Sequence, residues 1–195
     1  MSGPDRIVPL RFDLSDLVRQ SVASLYSHLV TRPTGRALRV GIESQIAELG
    51  TICVSILDFT QVVVLDYSCA DETVAKLLDR YQRPDRPADA YFIARGVADR
   101  HRDAIQAVLE RYGLALPADV AGTGPTLLGT ATPIEREAWR ALEALVRADA
   151  EAVAERLSAT PAEATRVLDR LVERRLAVRW GSPRVYYALT GLVGD

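Results

Sequence analysis

Residues 55–80, SILDFTQVVVLDYSCADETVAKLLDR, read as a strand, a short loop and a helix. Ile56 and Leu57 run into Asp58 and Phe59. Val62, Val63, Val64 and Leu65 follow as a β-branched run, too short for a helix and too apolar for a surface loop, which predicts a buried strand. Beyond Asp66, Ala70, Val74, Leu77, Leu78 and Tyr81 recur at helical spacing on one face, while Asp71, Lys76, Asp79 and Arg80 fall mainly elsewhere. Ser68, with Asp71 and Glu72 behind it, has the pattern of a capping box and sets the expected helix start. A hydroxyl at a strand-to-helix corner is equally a candidate phosphorylation switch, and both readings stay open here.

Upstream, residues 7–12 (IVPLRF) suit an edge strand, because Pro9 removes a ladder donor. Asp13 or Ser15 then caps a helix striped by Leu17, Val18, Val22, Leu25, Tyr26 and Leu29, with His28 near its end. Thr34 caps a second helix that buries Leu38, Ile42, Ile46 and Leu49 and closes at Gly50. Arg32, Arg36 and Arg39 gather at its start, where exposed amides already favour an anion. They either pair with acids from elsewhere in the chain or dock a phosphate or acidic partner. Downstream, residues 90–94 (AYFIA) form a strand and 96–98 a loop. Residues 99–112 form a helix with Ala104, Ile105, Val108, Leu109 and Tyr112 inward, ended by Gly113. Strand and helix in alternation predict an α/β fold with a mostly parallel sheet and helices packed on it.

Residues 117–133 (PADVAGTGPTLLGTATP) are small and rich in Gly and Pro, and the domain boundary is placed there: 1–120 as the α/β domain, 121–132 as linker or last strand, 133–195 as a second, smaller domain. Gly122-Thr123-Gly124 lacks the Gly-Lys-Ser/Thr of a phosphate loop. The second domain reads as three helices and a hairpin. The first helix carries Ala138, Trp139, Leu142, Leu145 and Val146, and the second Ala150, Val153, Ala154 and Leu157. The third opens on Pro161 and buries Ala164, Val167, Leu168, Leu171 and Val172. Strands at 177–180 and 185–189 flank Gly181-Ser182-Pro183-Arg184.

Two resemblances follow. Asp58 and Asp66 at strand ends, with Ser68 at a helix start, make residues 13–116 resemble the STAS domain of anti-sigma factor antagonists. In that family the corner reads Asp-Ser-Ser-Gly and a partner kinase phosphorylates the second Ser. Asp66 and Ser68 match, while Tyr67 and Cys69 replace the first Ser and the Gly. Residues 68–72 are closer to a STAS-like subfamily whose corner reads Ser-Phe-Ala-Asp-Glu. The resemblance implies a partner-docking switch at Ser68, with Asp58, Asp66, Asp71 and Glu72 around it, and a kinase or anti-sigma-like protein as partner. Residues 153–178 resemble the helix-turn-helix of multiple-antibiotic-resistance-type and arsenic-type repressors, which implies a winged helix. By that resemblance the candidate DNA contacts are Thr165, Arg166, Arg170, Arg174, Arg179 and Arg184, and a homodimer on paired half-sites is in keeping with it. Glu163 stands where that family has a small hydroxyl residue, and Arg175 replaces the Gly that commonly closes the helix.

Charge bounds these readings. The formal net charge is −2, so no molecule-wide field steers the chain to nucleic acid or anionic membrane. Residues 133–195 balance ten Arg with ten Asp or Glu, yet 161–184 hold six Arg against Glu163, Asp169 and Glu173, which favours one basic face. Trp180, Tyr186 and Tyr187 read as packing of the wing strands or as base-stacking groups. Cys53 and Cys69 read as buried thiols in a reducing compartment. No signal peptide or membrane segment is read, which points to the cytoplasm. His28 and His101 lie on expected surface helices, and Asp58 with Asp66 could form a carboxylate pair but more commonly cap or dock. The chain therefore reads as non-enzymatic, without metal or cofactor. It is expected to be a regulator in which the STAS-like half controls the winged helix, or alternatively a protein-docking module of a kinase-linked switch that binds no DNA.

Overall fold

The computed structural model describes residues 7–14 and 28–193. The helix expected after Asp13 or Ser15 lies outside them. The elements run β1 (Val8–Asp13), β2 (His28–Leu29), α1 (Arg32–Leu49), β3 (Cys53–Asp58), β4 (Val64–Leu65) and α2, the last in three consecutive segments, Tyr67–Ala70, Asp71–Ala75 in π geometry and Lys76–Gln82. Then come β5 (Ala90–Val97), α3 (Asp99–Tyr112), β6 (Ala115–Val120), β7 (Gly124–Gly129), α4 (Pro133–Leu145) and β8 (Arg147–Ala148). α5 (Ala150–Leu157), α6 (Pro161–Glu173), β9 (Ala177–Trp180) and β10 (Val185–Ala188) complete the order.

The main sheet has the order β1-β3-β5-β6-β7, parallel except for β7. Pro9 does sit on an edge strand. Val8 N–H donates to Ile52 O (3.0 Å), so strand alternation turns Pro9, which has no donor, toward the side of β1 where no strand pairs among the described residues. At the other edge, Arg136 donates to the carbonyls of Leu127 and Gly129, and Gln106 accepts from Gly129 N–H (2.8 Å), which blunts β7.

Every residue of β3 is buried, because both faces of the sheet are covered. Cys53 and Leu57 pack with α1, α2 and α3. Val54 and Ile56, one residue out of phase, pack with Ile7, Ile93, Val178 and Leu189 on the opposite face. The C-terminal block that supplies Val178 and Leu189 consists of α4, α5, α6 and an antiparallel sheet, β8-β10-β9. Its core of Trp139, Leu142, Val153, Leu168, Leu171 and Tyr186 extends to Ala115 and Leu127 of the main sheet. The second half of the chain is thus packed against the first.

Several local expectations change. The run from Val62 to Leu65 yields only β4, which pairs with β2 in a separate ribbon; Val62 and Leu65 are buried, but Val63 and Val64 are 47% and 37% exposed. His28 lies in β2 rather than at a helix end. Thr31, not Thr34, caps α1, accepting from Thr34 N–H (3.2 Å). β5 continues through the expected loop at 96–98 as far as Val97. Residues 121–132, read as linker or last strand, contain β7.

His101 is fully buried rather than on the surface. Its Nδ1 accepts from Ala98 N–H (3.4 Å) at the start of α3, its ring lies 6.1 Å from that of Phe59, and Nε2 has no hydrogen-bond partner among the described residues. Burial, then the nearby Arg100, depress its pKa below the usual value. The folded state therefore keeps a neutral imidazole that the unfolded chain protonates near pH ~6.5. Stability should be fully present above that pH and fall as pH drops toward the folded value. His101→Gln, whose amide can still accept from the cap, should flatten the pH dependence of the urea midpoint in this window.

Candidate functional site

Asp66, not Ser68, caps α2. Its Oδ1 accepts from Cys69 N–H (2.8 Å), and Ser68 Oγ donates to the same oxygen (2.9 Å). The Ser68 hydroxyl is therefore half-buried and tethered to the cap rather than forming it. Tyr67 beside it is 57% exposed. Arg32, Tyr67, Ser68, Asp71, Val108 and Arg111 line a shallow groove of about 330 Å³ in front of this corner.

Helical periodicity puts Asp71 and Glu72 outside, yet both are buried. The cause is the close approach of α1. A Cβ at Gly35 would lie 2.8 Å from Cys69 O and 2.9 Å from Glu72 Cβ, so only glycine lets the helices meet there. That contact lays the start of α1 over the π segment. Arg32 then bonds Asp71 (2.7 Å) and Glu72 (3.1 Å), Arg39 bonds Glu72 (3.3 Å), and Lys76 contacts both acids. Of the two readings of the arginine cluster, pairing within the chain holds for Arg32 and Arg39; Arg36 is exposed and makes no ion pair among the described residues.

Burial alone would raise the carboxyls of Asp71 and Glu72, but hydrogen bonds to Asp71 from Arg32 and Tyr112, and to Glu72 from Lys76 and Arg32, hold both below their usual values. Burial pushes the Cys69 thiol up to about 12, so it stays a thiol. Asp58 and Asp66 do not form a pair. β3 and β4 belong to different sheets, and Asp58 instead binds Arg11 Nε (2.8 Å) and Thr60 N–H (2.8 Å). Burial would raise Asp58, but the Thr60 and Arg11 bonds lower it.

The second set of residues lies on α6 and the β9–β10 hairpin. Thr160 caps α6, and the Glu163 carboxylate accepts from both Thr160 N–H (2.9 Å) and Thr160 Oγ (2.7 Å). An acid at this position thus serves the cap. Thr165 Oγ donates to Pro161 O (2.8 Å), while Arg166 and Arg170 are exposed beside Ile134 and Val167 along a groove of about 420 Å³. One turn beyond Arg166, Asp169 accepts from Arg179 (2.7 Å) and the Tyr186 hydroxyl (2.9 Å) and lies 3.6 Å from Arg184. Tyr186 is buried, as wing packing requires. Arg166, Arg179 and Arg184 are all exposed, with Asp169 linking hairpin to helix.

Arg174 does not join that surface. It donates to Thr130 O (2.6 Å), Gly113 O (3.2 Å) and Glu135 (3.1 Å). Its own carbonyl accepts from Gln82 at the end of α2 (3.1 Å). Arg175, absent from the sequence-derived candidates, is the more telling neighbour. It adopts φ 57°, donates from Nε to Ala90 O (2.9 Å), reaches Asp89 (3.3 Å) and stacks 4.1 Å above the Tyr91 ring. The signal in the sequence was the non-glycine at a helix end where glycine is common. Gln82, Arg174 and Arg175 form a seam joining α6 to α2 and β5. Comparisons of this chain with protein-family models, with curated proteins and with solved structures gave no match.

Proposed function

We propose that this chain is a cytoplasmic, non-catalytic regulator: a STAS-like α/β half docks a protein partner at the corner formed by Asp66, Tyr67 and Ser68, and governs a winged-helix-like half that binds duplex DNA. The observation that carries the DNA reading is Asp169 holding Arg179 and Arg184 of the hairpin against α6, one turn from Arg166. With Arg170, these make four exposed arginines against Glu163, Asp169 and Glu173, a small local excess of positive charge on a chain whose net charge is −2. Control is supported by the route of α2, which begins at the Ser68 corner and ends with Gln82 on the Arg174 carbonyl. The test is equilibrium binding of the full chain to random-sequence duplex, followed by fluorescence anisotropy; absence of binding at low salt rejects it.

Docking at the corner without DNA is the second reading, favoured by the exposed Tyr67 beside the groove between Arg32 and Arg111. A phosphoryl group on Ser68 would add a charge of about −1.5 to −2 next to the Asp66 cap, opposing that carboxylate while facing both arginines. Because Ser68 donates to the half-buried Asp66 cap rather than forming it, Ser68→Ala should cost about 0.5–2 kcal/mol in urea unfolding. Ser68→Asp should leave the fold intact and change partner or duplex affinity. Global unfolding of either variant would make Ser68 a structural residue.

A further inference from the structure

Beyond the corner and the arginine face, a third feature lies where the carboxyl ends of the parallel strands meet the C-terminal block. Register puts Ile56 beside Ile93 and Asp58 beside Arg95, and Ala94 beside Ala118. Strand alternation then places Pro117 on the face that carries Ile93; past Ala94 the register between β5 and β6 shifts, and Arg95 and Asp119 both line the same cleft there. The result is an apolar row, Ile56, Ile93 and Pro117, with a charged row beyond it. Thr190 and Val193, after β10, wall the opposite side and leave a cleft of about 180 Å³.

Its charged lining is one guanidinium, Arg95, and one carboxylate, Asp119. Both are exposed, and neither makes an ion pair among the described residues. Asp58, the other acid of the row, is already held by Arg11 and Thr60. Clefts at the carboxyl ends of parallel strands, with apolar walls and a few convergent polar groups, are common ligand sites. We infer that this cleft binds a small zwitterion with an aliphatic side chain, an aliphatic α-amino acid being the simplest. Its carboxylate lies on Arg95, its ammonium on Asp119 and its side chain on Ile56, Ile93, Pro117 and Val193. A simple anion would leave Asp119 unmatched, and a simple amine would leave Arg95 unmatched. Touching both the sheet and Val193, such a ligand would brace the two halves together. This inference is independent of the DNA reading.

Isothermal titration calorimetry of the full chain with L-leucine and L-valine tests it, with isocaproate and isoamylamine as probes lacking one charge each. Saturable binding of at least one amino acid is expected, weaker by about tenfold or more for either single-charge probe. Arg95→Gln and Asp119→Asn should each reduce it by about tenfold or more without moving the urea midpoint, both residues being exposed. No saturable binding of either amino acid, undiminished binding by both variants, or equal affinity for isocaproate or isoamylamine would overturn the assignment.

Discussion

Arg175→Ala is expected to destabilise the chain by about 2–4 kcal/mol, read as a lowered urea midpoint. The side chain is 10% exposed, and its loss removes the Nε bond to Ala90 O, the Asp89 contact and the stacking on Tyr91. A hydrogen bond from a charged group contributes about 1.5–3 kcal/mol, and a partly desolvated cation–π contact about 0.5–2 kcal/mol. Part of this is offset by the cost of burying the cation, which also depresses the Arg175 pKa. Arg175→Gly discriminates the backbone contribution. At φ 57° alanine keeps the left-handed strain that glycine escapes, so the glycine variant should be the more stable of the two by about 1 kcal/mol. If Arg175→Ala matches the wild type, the seam does not hold the halves together.

Glu72→Ala should cost about 2–3 kcal/mol by the same measurement. The carboxylate is buried and receives Arg32, Arg39 and Lys76. Arg32 and Lys76 keep Asp71 and Arg39 keeps Glu43 (3.1 Å), so no cation is stranded and the loss is smaller than for breaking an isolated buried pair. Glu72→Gln, which keeps the shape and an acceptor, should cost less. The cluster also fixes an acid limb. Because Asp71 and Glu72 have lowered folded pKa values, their stabilisation is present above the ordinary carboxylate range, near pH ~4, and is lost as pH falls through the folded values. Removing Glu72 should make that limb shallower; an unchanged limb would show that the cluster contributes little.

The elements that were legible in the sequence are those whose determinants are local. α3 runs over 99–112 and closes on Gly113 at φ 66°, and α1 ends at Gly50 at φ 61°, because a left-handed glycine is written in the chain itself. Pro161 at the start of α6 and the hairpin strands at 177–180 and 185–188 follow from equally local rules. What was not legible depends on residues far apart in the chain. Asp71 and Glu72 look like solvent-facing residues until Gly35 brings α1 against them, and the β-branched run at 62–65 opens on a turn, Val62 N–H donating back to Phe59 O (2.9 Å), before Val64 and Leu65 pair with β2. Arg174 read as a DNA contact because its partners, Gly113, Thr130 and Glu135, lie outside any helix-turn-helix pattern. The seam escapes notice for the same reason: Gln82 and Arg174 are 92 residues apart. Strand alternation in β3 marks two covered faces, but it does not say that the second cover is the C-terminal block.

The most direct test of the account is the salt dependence of duplex binding by the full chain beside Arg166→Ala/Arg170→Ala. With four exposed arginines on phosphates, log K should fall with log salt at a slope of about −3 to −4, and the double variant should bind more weakly with a slope shallower by about 2. Binding that is absent at about 50 mM salt, or a slope unchanged by the double variant, would contradict a DNA-directed function of this surface.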